Sequence, residues 1–175
     1  MIIKNTKLKG VKLILQDDTF EDHRGSYRAL YNHALYQSLL KIPDFVEDDV
    51  SMSDSKGTLK GIHGDKGTWK LISCLAGKFY LVVVNCDSNN EQFGEWESFT
   101  LSSSNRVQIL VPPKFGNGHQ TLVDNTIFHY KQTSYYGDHK QFTVAWNGIL
   151  NIPWPIAHPI LSERDAKGPF FNFES

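Results

Sequence analysis

Apolar and aromatic residues alternate with polar ones in short runs along most of this chain. The runs are rich in β-branched and aromatic side chains, which favour strands. Gly, Asn, Asp and Ser separate them at spacings of roughly 8–12 residues, the spacing of sandwiches and barrels. The runs that predict strands are VKLILQ, SYRALY, LKGIHGD, TWKLISCLAG, KFYLVVVNC, WESFTLS, VQILVP, TIFHYKQ and QFTVAW. No regular alternation of strands with helices is present, so the pattern predicts an antiparallel double sheet.

Helical periodicity is confined to short segments. The segment 32–41, NHALYQSLLK, places Leu35 and Leu39 four residues apart and predicts one helix. A second helical turn is predicted after Leu161. Gly77 predicts a tight hairpin between two strand runs, and the Pro/Gly-rich stretch VPPKFGNGHQ predicts a loop. The predicted fold class is therefore mainly β, a cupin or jelly-roll sandwich with one or two short helices.

Composition sets limits on the class of protein. The 175 residues suffice for one domain with a full core, and no repeat or linker divides them, so residues 1–175 are predicted to form a single domain. A net charge of −1 gives no broad basic field for nucleic acid or an anionic membrane. The longest apolar run is too short to span a bilayer, and the N-terminus does not resemble a signal peptide. We expect a cytoplasmic protein with Cys74 and Cys86 as reduced thiols.

His63 is the first candidate for chemistry. Gly61 and Gly64 bracket it and leave room for a ligand or another backbone, although a lone strand histidine is more often a surface or satisfied core residue. His63, Asp65 two residues later, and His119 also match the outline H-x-D…H of a 2-His-1-carboxylate iron site. This alternative predicts a cupin-type non-haem iron(II) oxygenase.

Lys70 and Tyr130 lie in two of the predicted strands. Lys70 shares a face with Ile72 and Cys74, so it either snorkels at a strand end or points at a negative charge. Tyr130 alternates with Phe128, as in an aromatic core stripe. A buried tyrosine needs a partner for its hydroxyl, and it can serve as an acid when it faces a cavity.

Two further polar segments have both a structural and a functional interpretation. Phe20 and Arg24 lie on a predicted turn, where the arginine is either solvated or available as a fork for a phosphate. Asp165 follows Ser162, a predicted N-cap, and in the structural interpretation Asp165 only stabilises a helix N-terminus.

Taken in order, the segments of the chain resemble the dTDP-4-dehydrorhamnose 3,5-epimerase family, the metal-free cupin epimerases of nucleotide-linked 4-keto-6-deoxy sugars. The resemblance extends over nearly the whole chain. Its segments are TFEDHRGSY, SMSDSKGTLKGIH, WKLISCLAGKFYLVVVNCD, FGEWESFTLSSSNRVQILVPPKF, FHYKQTSYY, AWN, IPWP and LSERD.

The resemblance implies an isomerase that inverts carbon 3, carbon 5 or both by proton transfer, without a cofactor. His63 falls on the family's base position and Asp165 on its orienting partner. Lys70 falls on the lysine that faces the keto oxygen, and Tyr130 on the opposing acid. The family also implies a homodimer in which the N-terminal strand crosses to the neighbour.

The resemblance further implies a set of substrate-binding positions. Arg24 and Lys60 fall near the phosphates of the nucleotide, and Phe20 falls near the nucleotide itself. Glu47 and Asp49 take positions where the family usually carries Gln and Asn.

Several positions depart from the family pattern. Lys60 replaces the usual arginine and loses its bidentate fork. The KFGNGH segment is two residues longer than usual, so either His119 or Asn117 takes the position of a family histidine. The GIHGD, PP…GNGH and LSERD forms resemble a branch that acts on GDP-linked 4-keto-heptoses for bacterial surface polysaccharides, so the nucleotide and the sugar length stay open.

Overall fold

The computed structural model describes residues 1–16 and 19–169, and most of the regular secondary structure in these residues is β-strand. The strands are β1 Ile2–Asn5, β2 Lys12–Leu15, β3 Thr19–Asp22, β4 Gly25–Arg28, β5 Glu47–Ser53, β6 Leu59–Gly64, β7 Lys70–Ala76, β8 Lys78–Asn85, β9 Trp96–Ser102, β10 Val107–Val111, β11 Phe115–Thr121, β12 Thr126–Gln132 and β13 Phe142–Thr143. The helices of the described ranges are α1 His33–Leu40 and α2 Glu163–Ala166.

Within this part of the chain the strands form two antiparallel main sheets. One has six strands in the order β1-β2-β10-β7-β12-β5, and the other has five in the order β13-β6-β11-β8-β9. The hairpin of β3 and β4 stands apart from both. The predicted antiparallel double sheet of the cupin type is therefore confirmed.

The main core lies between the two sheets. Inward-facing side chains of β7, β8, β10 and β12 fill it, because alternate residues of each strand point to the same face. Its fully buried members include Leu8, Ile72, Phe79, Leu81, Leu101 and Ile109. Burying a side chain of this size contributes about 1.5–3 kcal/mol. Since β7 and β8 are also covered on their outer faces, they read in the sequence as continuous apolar runs.

Helix α1 covers the outer face of the six-stranded sheet. Asn32 caps its N-terminus by accepting a hydrogen bond from the Leu35 backbone N–H, and Lys41 ends it in the left-handed conformation. The predicted helix is confirmed, but its buried side chain is Tyr36, while Leu35 and Leu39 are exposed. No helix in the described ranges is both long enough and apolar enough to cross a membrane.

The turn at Gly77 does not form the predicted hairpin. Strands β7 and β8 flank it, yet they pair in different sheets, so the chain passes from one sheet to the other at this point. Gly77 has φ +73, and a Cβ there would lie 2.5 Å from the Thr126 hydroxyl oxygen. The glycine therefore permits a close turn, but the local sequence carries no information on which strands the two runs pair with.

The prediction of a loop at VPPKFGNGHQ is wrong for most of that segment, because strand β11 occupies Phe115–Thr121. Its glycines allow β6 and β11 to approach closely. A Cβ at Gly116 would lie 2.8 Å from the Ile62 side chain, and one at Gly118 would lie 3.0 Å from it. The glycine content thus reflects strand packing rather than a loop.

Candidate active site

A cavity of about 220 Å³ lies between the sheets, where β6 and β11 of one face β5, β7 and β12 of the other. Most of the site residues predicted from the sequence line it. The lining residues are Ser51, Lys60, His63, Lys70, Asn117, His119, Phe128, Tyr130, Tyr136, Gln141 and Arg164.

His63 and Asp165 meet at the wall of this cavity. The Nε2 atom of His63 lies 2.8 Å from Asp165 Oδ1. Asp165 is buried on α2, where its backbone N–H donates to the Ser162 hydroxyl, so the predicted cap is confirmed.

The charge of Asp165 is stabilised despite its burial. Burial by itself raises the pKa of this carboxyl, but the contacts with His63, Ser162 and the Gly61 backbone N–H outweigh that effect and hold the pKa below its ordinary value. The carboxylate is therefore ionised at neutral pH and faces the imidazole as an acceptor.

The other ring nitrogen of His63 faces Thr143. These two residues are directly opposite each other in the pairing of β6 with β13, and His63 Nδ1 lies 3.1 Å from Thr143 Oγ1. The Arg164 guanidinium donates to the same hydroxyl oxygen at 3.1 Å and to Gln141 Oε1 at 3.3 Å. Both nitrogens of the imidazole are thus contacted by protein groups.

Lys70 and Tyr130 line the cavity from the six-stranded sheet. The Lys70 ammonium lies 5.7 Å from the centroid of the Tyr130 ring, within the range of a cation–π contact. Burial lowers the pKa of Lys70, although the Asp65 and Asp49 carboxylates partly oppose this shift. Of the two interpretations of Lys70, the structure favours a side chain that points into the cavity.

The Tyr130 phenol is held in its protonated form. Tyr130 is directly opposite Asp49 in the pairing of β12 with β5. Burial raises the pKa of this phenol above its ordinary value, and the carboxylates of Asp49 and Glu47 raise it further. Phe128, two residues earlier, is buried in the core, so the aromatic stripe supplies both a core ring and a cavity hydroxyl.

Glu47 and Asp49 are on the inward face of β5 but are not among the described lining residues of the cavity. Gln132 bridges them, since its Nε2 donates to Glu47 Oε1 at 2.9 Å and to Asp49 Oδ2 at 3.0 Å. Burial and the neighbouring Glu47 charge raise the pKa of Asp49. Glu47 also accepts from the backbone N–H of Tyr136 and so holds a lining residue in place.

Lys60 lines the cavity, and its ammonium group is hydrogen-bonded within the protein. The ammonium donates to Ser51 Oγ at 2.8 Å and to the Met52 carbonyl at 2.9 Å. These are neighbouring groups on β5, so a phosphate that binds Lys60 would compete with them.

His119 and Asn117 both line the cavity, so neither excludes the other from the site. The His119 ring stacks on Phe128 with centroids 4.1 Å apart. Complete burial, together with the nearby Lys60 charge, lowers the pKa of His119 to about 3, and its ring is neutral at physiological pH. Asn117 is opposite His63 in the pairing of β11 with β6.

Phe20 and Arg24 do not belong to the cavity of their own chain. Both lie on the exposed β3–β4 hairpin, where Phe20 is 65% exposed. The Arg24 guanidinium forms an ion pair with Asp22 at 2.6 Å. Neither is among the described lining residues of the cavity.

The iron site of His63, Asp65 and His119 is not formed. Strand β6 ends at Gly64, so Asp65 lies in the following turn, and its Oδ1 accepts the backbone N–H groups of Gly67 and Thr68. Within residues 1–16 and 19–169, no group of three His, Cys, Asp or Glu side chains is arranged to hold a metal ion.

The sequence analysis did not identify three lining residues, Ser51, Gln141 and Arg164, nor Thr143, which contacts His63. Gln141 and Thr143 belong to the run QFTVAW, which the sequence identified only as a strand. Arg164 precedes Asp165 in LSERD, and this adjacency was a usable signal, because neighbours on a short helix can reach the same site.

The two antiparallel sheets define a cupin-type fold. The cavity between them is lined by a histidine, a lysine and a tyrosine, so the protein belongs to the class of cupins with acid–base side chains in the cavity. Residues 5–172 match the family model described as dTDP-4-dehydrorhamnose 3,5-epimerase. The chain belongs to this family.

Relatives and solved structures agree with this assignment. The chain is similar to the dTDP-4-dehydrorhamnose 3,5-epimerase of Salmonella typhimurium, with 33% identity over 178 residues that cover 98% of this chain and 96% of the relative. The Bacillus anthracis enzyme of that name, solved with TDP and PPi bound, has 37% identity and a TM-score of 0.90, covering 97% of this chain and 98% of its own. The Legionella pneumophila dTDP-6-deoxy-D-glucose-3,5-epimerase, solved in complex with dTDP-4-keto-L-rhamnose, has 32% identity and a TM-score of 0.92, covering 99% and 94%.

Proposed function

We propose that this protein is a sugar-nucleotide epimerase that inverts carbon 3, carbon 5 or both of a nucleotide-linked 4-keto-6-deoxy sugar. The observation that carries the proposal is the placement of two kinds of group across one cavity. The His63–Asp165 pair lies on one side, and Lys70 and Tyr130 lie on the other.

The reaction requires groups on two faces of the sugar. A ketone at carbon 4 acidifies the C–H bonds at carbons 3 and 5, because the electron pair of the broken bond delocalises onto the ketone oxygen as an enolate. A base that returned the proton from the same side would restore the original configuration. Inversion therefore needs a base on one face and a proton donor on the other.

In this proposal His63 is the base. Its Nε2 is occupied by Asp165, so Nδ1 is the nitrogen that accepts the proton. The ionised Asp165 stabilises the imidazolium that forms, as in other His–Asp pairs. Lys70 stabilises the enolate oxygen where negative charge develops, and none of these steps requires a metal or a redox cofactor.

Tyr130 is the proposed proton donor on the opposite face. Burial raises its pKa, so the phenol carries its proton throughout the physiological range. The phenol gives that proton to the enolate carbon, and the C–H bond re-forms with inverted configuration.

The nucleotide of the proposed substrate is dTDP. The solved relatives from Bacillus anthracis and Legionella pneumophila contain TDP and a dTDP-linked keto sugar, which supports this choice over GDP. Lys60 is the proposed contact to the phosphates from within the chain. A GDP-linked 4-keto-6-deoxyheptose is the substrate that the alternative branch would require.

We also propose that the protein is a homodimer. Strand β5 is an edge of the six-stranded sheet, and its apolar residues Val50 and Met52 face outward with 57% and 67% exposure. The N-terminal strand β1 pairs with β2 of its own chain, so crossing to a neighbour requires this pair to separate. A partner would cover β5, and an adjacent chain would give the Phe20 and Arg24 hairpin a cavity to reach.

The proposed location is the cytoplasm. Cys74 and Cys86 are free thiols, and burial raises the pKa of these groups to about 11 and about 12. Such buried, protonated thiols persist in a reducing compartment.

The test is incubation with dTDP-linked and GDP-linked 4-keto-6-deoxy sugars in heavy water. We expect the wild type to incorporate deuterium at carbon 3, carbon 5 or both of the dTDP-linked sugar. His63→Asn removes the base and should lower the rate at least 100-fold, since general bases contribute about 10²–10⁴-fold. The matched control is His158→Asn, because His158 is exposed and is not among the residues that line the cavity.

Each outcome has a definite meaning. Wild-type rates in His63→Asn would remove His63 from the base role. Labelling of the GDP-linked sugar alone would overturn the choice of nucleotide, and no labelling of any 4-keto sugar would refute the proposed function.

A further inference from the structure

His63 contacts the protein through both of its ring nitrogens. On one side of the ring, Nε2 lies 2.8 Å from Asp165 Oδ1. A contact at one nitrogen fixes one end of the imidazole. A partner at Nδ1 fixes the other end and so holds the plane of the ring.

Thr143 is that partner, through a hydrogen bond whose direction is fixed by chemistry. An arginine side chain has only donors, so the Thr143 oxygen accepts from Arg164. The hydroxyl proton of Thr143 is then available for Nδ1, 3.1 Å away. This arrangement requires Nδ1 to be unprotonated and places the ring proton on Nε2, facing Asp165.

We propose that Thr143 is a positioning residue for the base, and that Arg164 sets the direction of its hydrogen bond. The adjacent residues Arg164 and Asp165 of α2 thus control both nitrogens of His63, one through Thr143 and one directly. The inference rests on the proposed function, because it specifies which nitrogen of His63 takes the proton.

The same hydroxyl serves both protonation states of the base. When the substrate C–H approaches, the hydroxyl proton turns away from Nδ1, and the C–H proton passes to Nδ1 while its electron pair moves to the ketone oxygen. Thr143 stays in place, since its bond from Arg164 does not involve that proton. Its second lone pair then accepts from the new Nδ1–H. A serine can do the same, whereas a valine can do neither.

The first measurement needs no substrate. Heteronuclear NMR of the protein labelled in its histidine ring nitrogens reports which nitrogen of His63 carries the proton. We expect the proton on Nε2 in the wild type and in the variants, because the ionised Asp165 carboxylate faces that nitrogen. The resonance of the unprotonated Nδ1 should move downfield in Thr143→Val, which lacks the hydroxyl donor, and stay near its wild-type position in Thr143→Ser. Because Arg164 is exposed, Arg164→Met tests the same inference if Thr143→Val fails to fold, and it should move the Nδ1 resonance in the same direction.

The second measurement is deuterium incorporation with the pH–rate profile. Thr143→Val should lower kcat about tenfold, the effect of losing one hydrogen bond to a group that becomes charged, with KM within about twofold of wild type. Thr143→Ser should stay within about threefold. Thr100→Val is the matched control, because Thr100 is exposed on β9 at the far edge of the same sheet, and it should behave as wild type.

Two results would overturn the inference. One is an unshifted Nδ1 resonance with unchanged kcat in Thr143→Val or Arg164→Met. The other is equal loss of activity in the serine and valine variants with equally lowered melting temperatures, which would indicate a packing role. A wild-type chain that labels no sugar would refute the proposed function instead, and the NMR result would still stand.

Discussion

His119 illustrates at the residue scale how burial fixes a protonation state. Its pKa falls to about 3 in the folded chain, first because of burial and then because of the Lys60 charge. In the unfolded chain a histidine titrates at about 6.5. Below that pH the unfolded state binds a proton that the folded state does not, so the stability associated with neutral His119 is complete above about 6.5 and is lost as pH falls toward 3.

This residue therefore predicts part of the acid sensitivity of the fold. His119→Gln removes the titrating group, so its free energy of unfolding should fall less steeply than that of the wild type between pH 6 and pH 4. The difference in slope should approach about 1.4 kcal/mol per pH unit, the limit for one proton. Denaturant unfolding at several pH values measures it.

The control for this prediction is His158→Gln, because His158 is exposed. Its unfolding free energy should follow that of the wild type across the same range. Parallel curves for His119→Gln and the wild type would show that His119 does not titrate differently in the folded and unfolded states.

At the scale of elements, the helices α1 and α2 differ in their relation to the cavity. Each has a capping side chain, Asn32 for α1 and Ser162 for α2. Only α2 carries groups that contact His63 and Thr143, whereas α1 lies on the outer face of the other sheet. Loss of either cap should weaken a helix, but only one of the two losses should disturb the cavity.

The substitutions Ser162→Ala and Asn32→Ala each remove one helix cap. Both should lower stability by about 1 kcal/mol, the usual effect of removing an N-cap. Ser162→Ala should also slow deuterium incorporation several-fold, since Asp165 and Arg164 lose their support. Melting temperature and the exchange assay, measured on both variants, check this.

An equal loss of rate in both variants would mean that general destabilisation, rather than the position of α2, limits activity. An unchanged rate in Ser162→Ala would mean that the contacts with His63 hold α2 in place without its cap.

Strand β5 shows why one element escaped the sequence pattern. Its polar residues Glu47, Asp49 and Ser51 face inward, while Val50 and Met52 face outward. This order is the reverse of an ordinary half-buried strand, because the inner face borders a polar cavity instead of the apolar core. Polar and apolar residues do alternate along β5, but the surroundings of the strand decide which of the two sets faces inward.

At the scale of the whole molecule, the outward apolar face of β5 predicts association. The double variant Val50→Lys, Met52→Lys should convert a wild-type dimer into a monomer, since two buried charges without partners oppose contact. Size-exclusion chromatography with light scattering measures the mass. Thr100→Lys, on the edge strand of the other sheet, is the control and should leave the dimer intact.

A monomeric wild type at micromolar concentration would contradict the proposed homodimer. A dimeric double variant would place the interface elsewhere on the surface than β5.

The sequence by itself determined the properties that depend on near neighbours along the chain. Period-2 runs predicted most of the strands and the double-sheet class, and 3.6-residue periodicity predicted α1. The ordered segments identified the family and singled out His63, Lys70, Tyr130 and Asp165. These features can be predicted from the sequence because alternation, capping and side-chain chemistry act over a few residues.

Only the tertiary structure decided the properties that depend on partners distant in sequence. It assigned β7 and β8 to different sheets, made β11 a strand and placed Asp65 in a turn instead of beside His63. It also brought Thr143 to the Nδ1 of His63 and Arg164 to the Thr143 hydroxyl. Strand pairing and side-chain contact are set by packing between distant segments, and a local pattern contains no information about which segments those are.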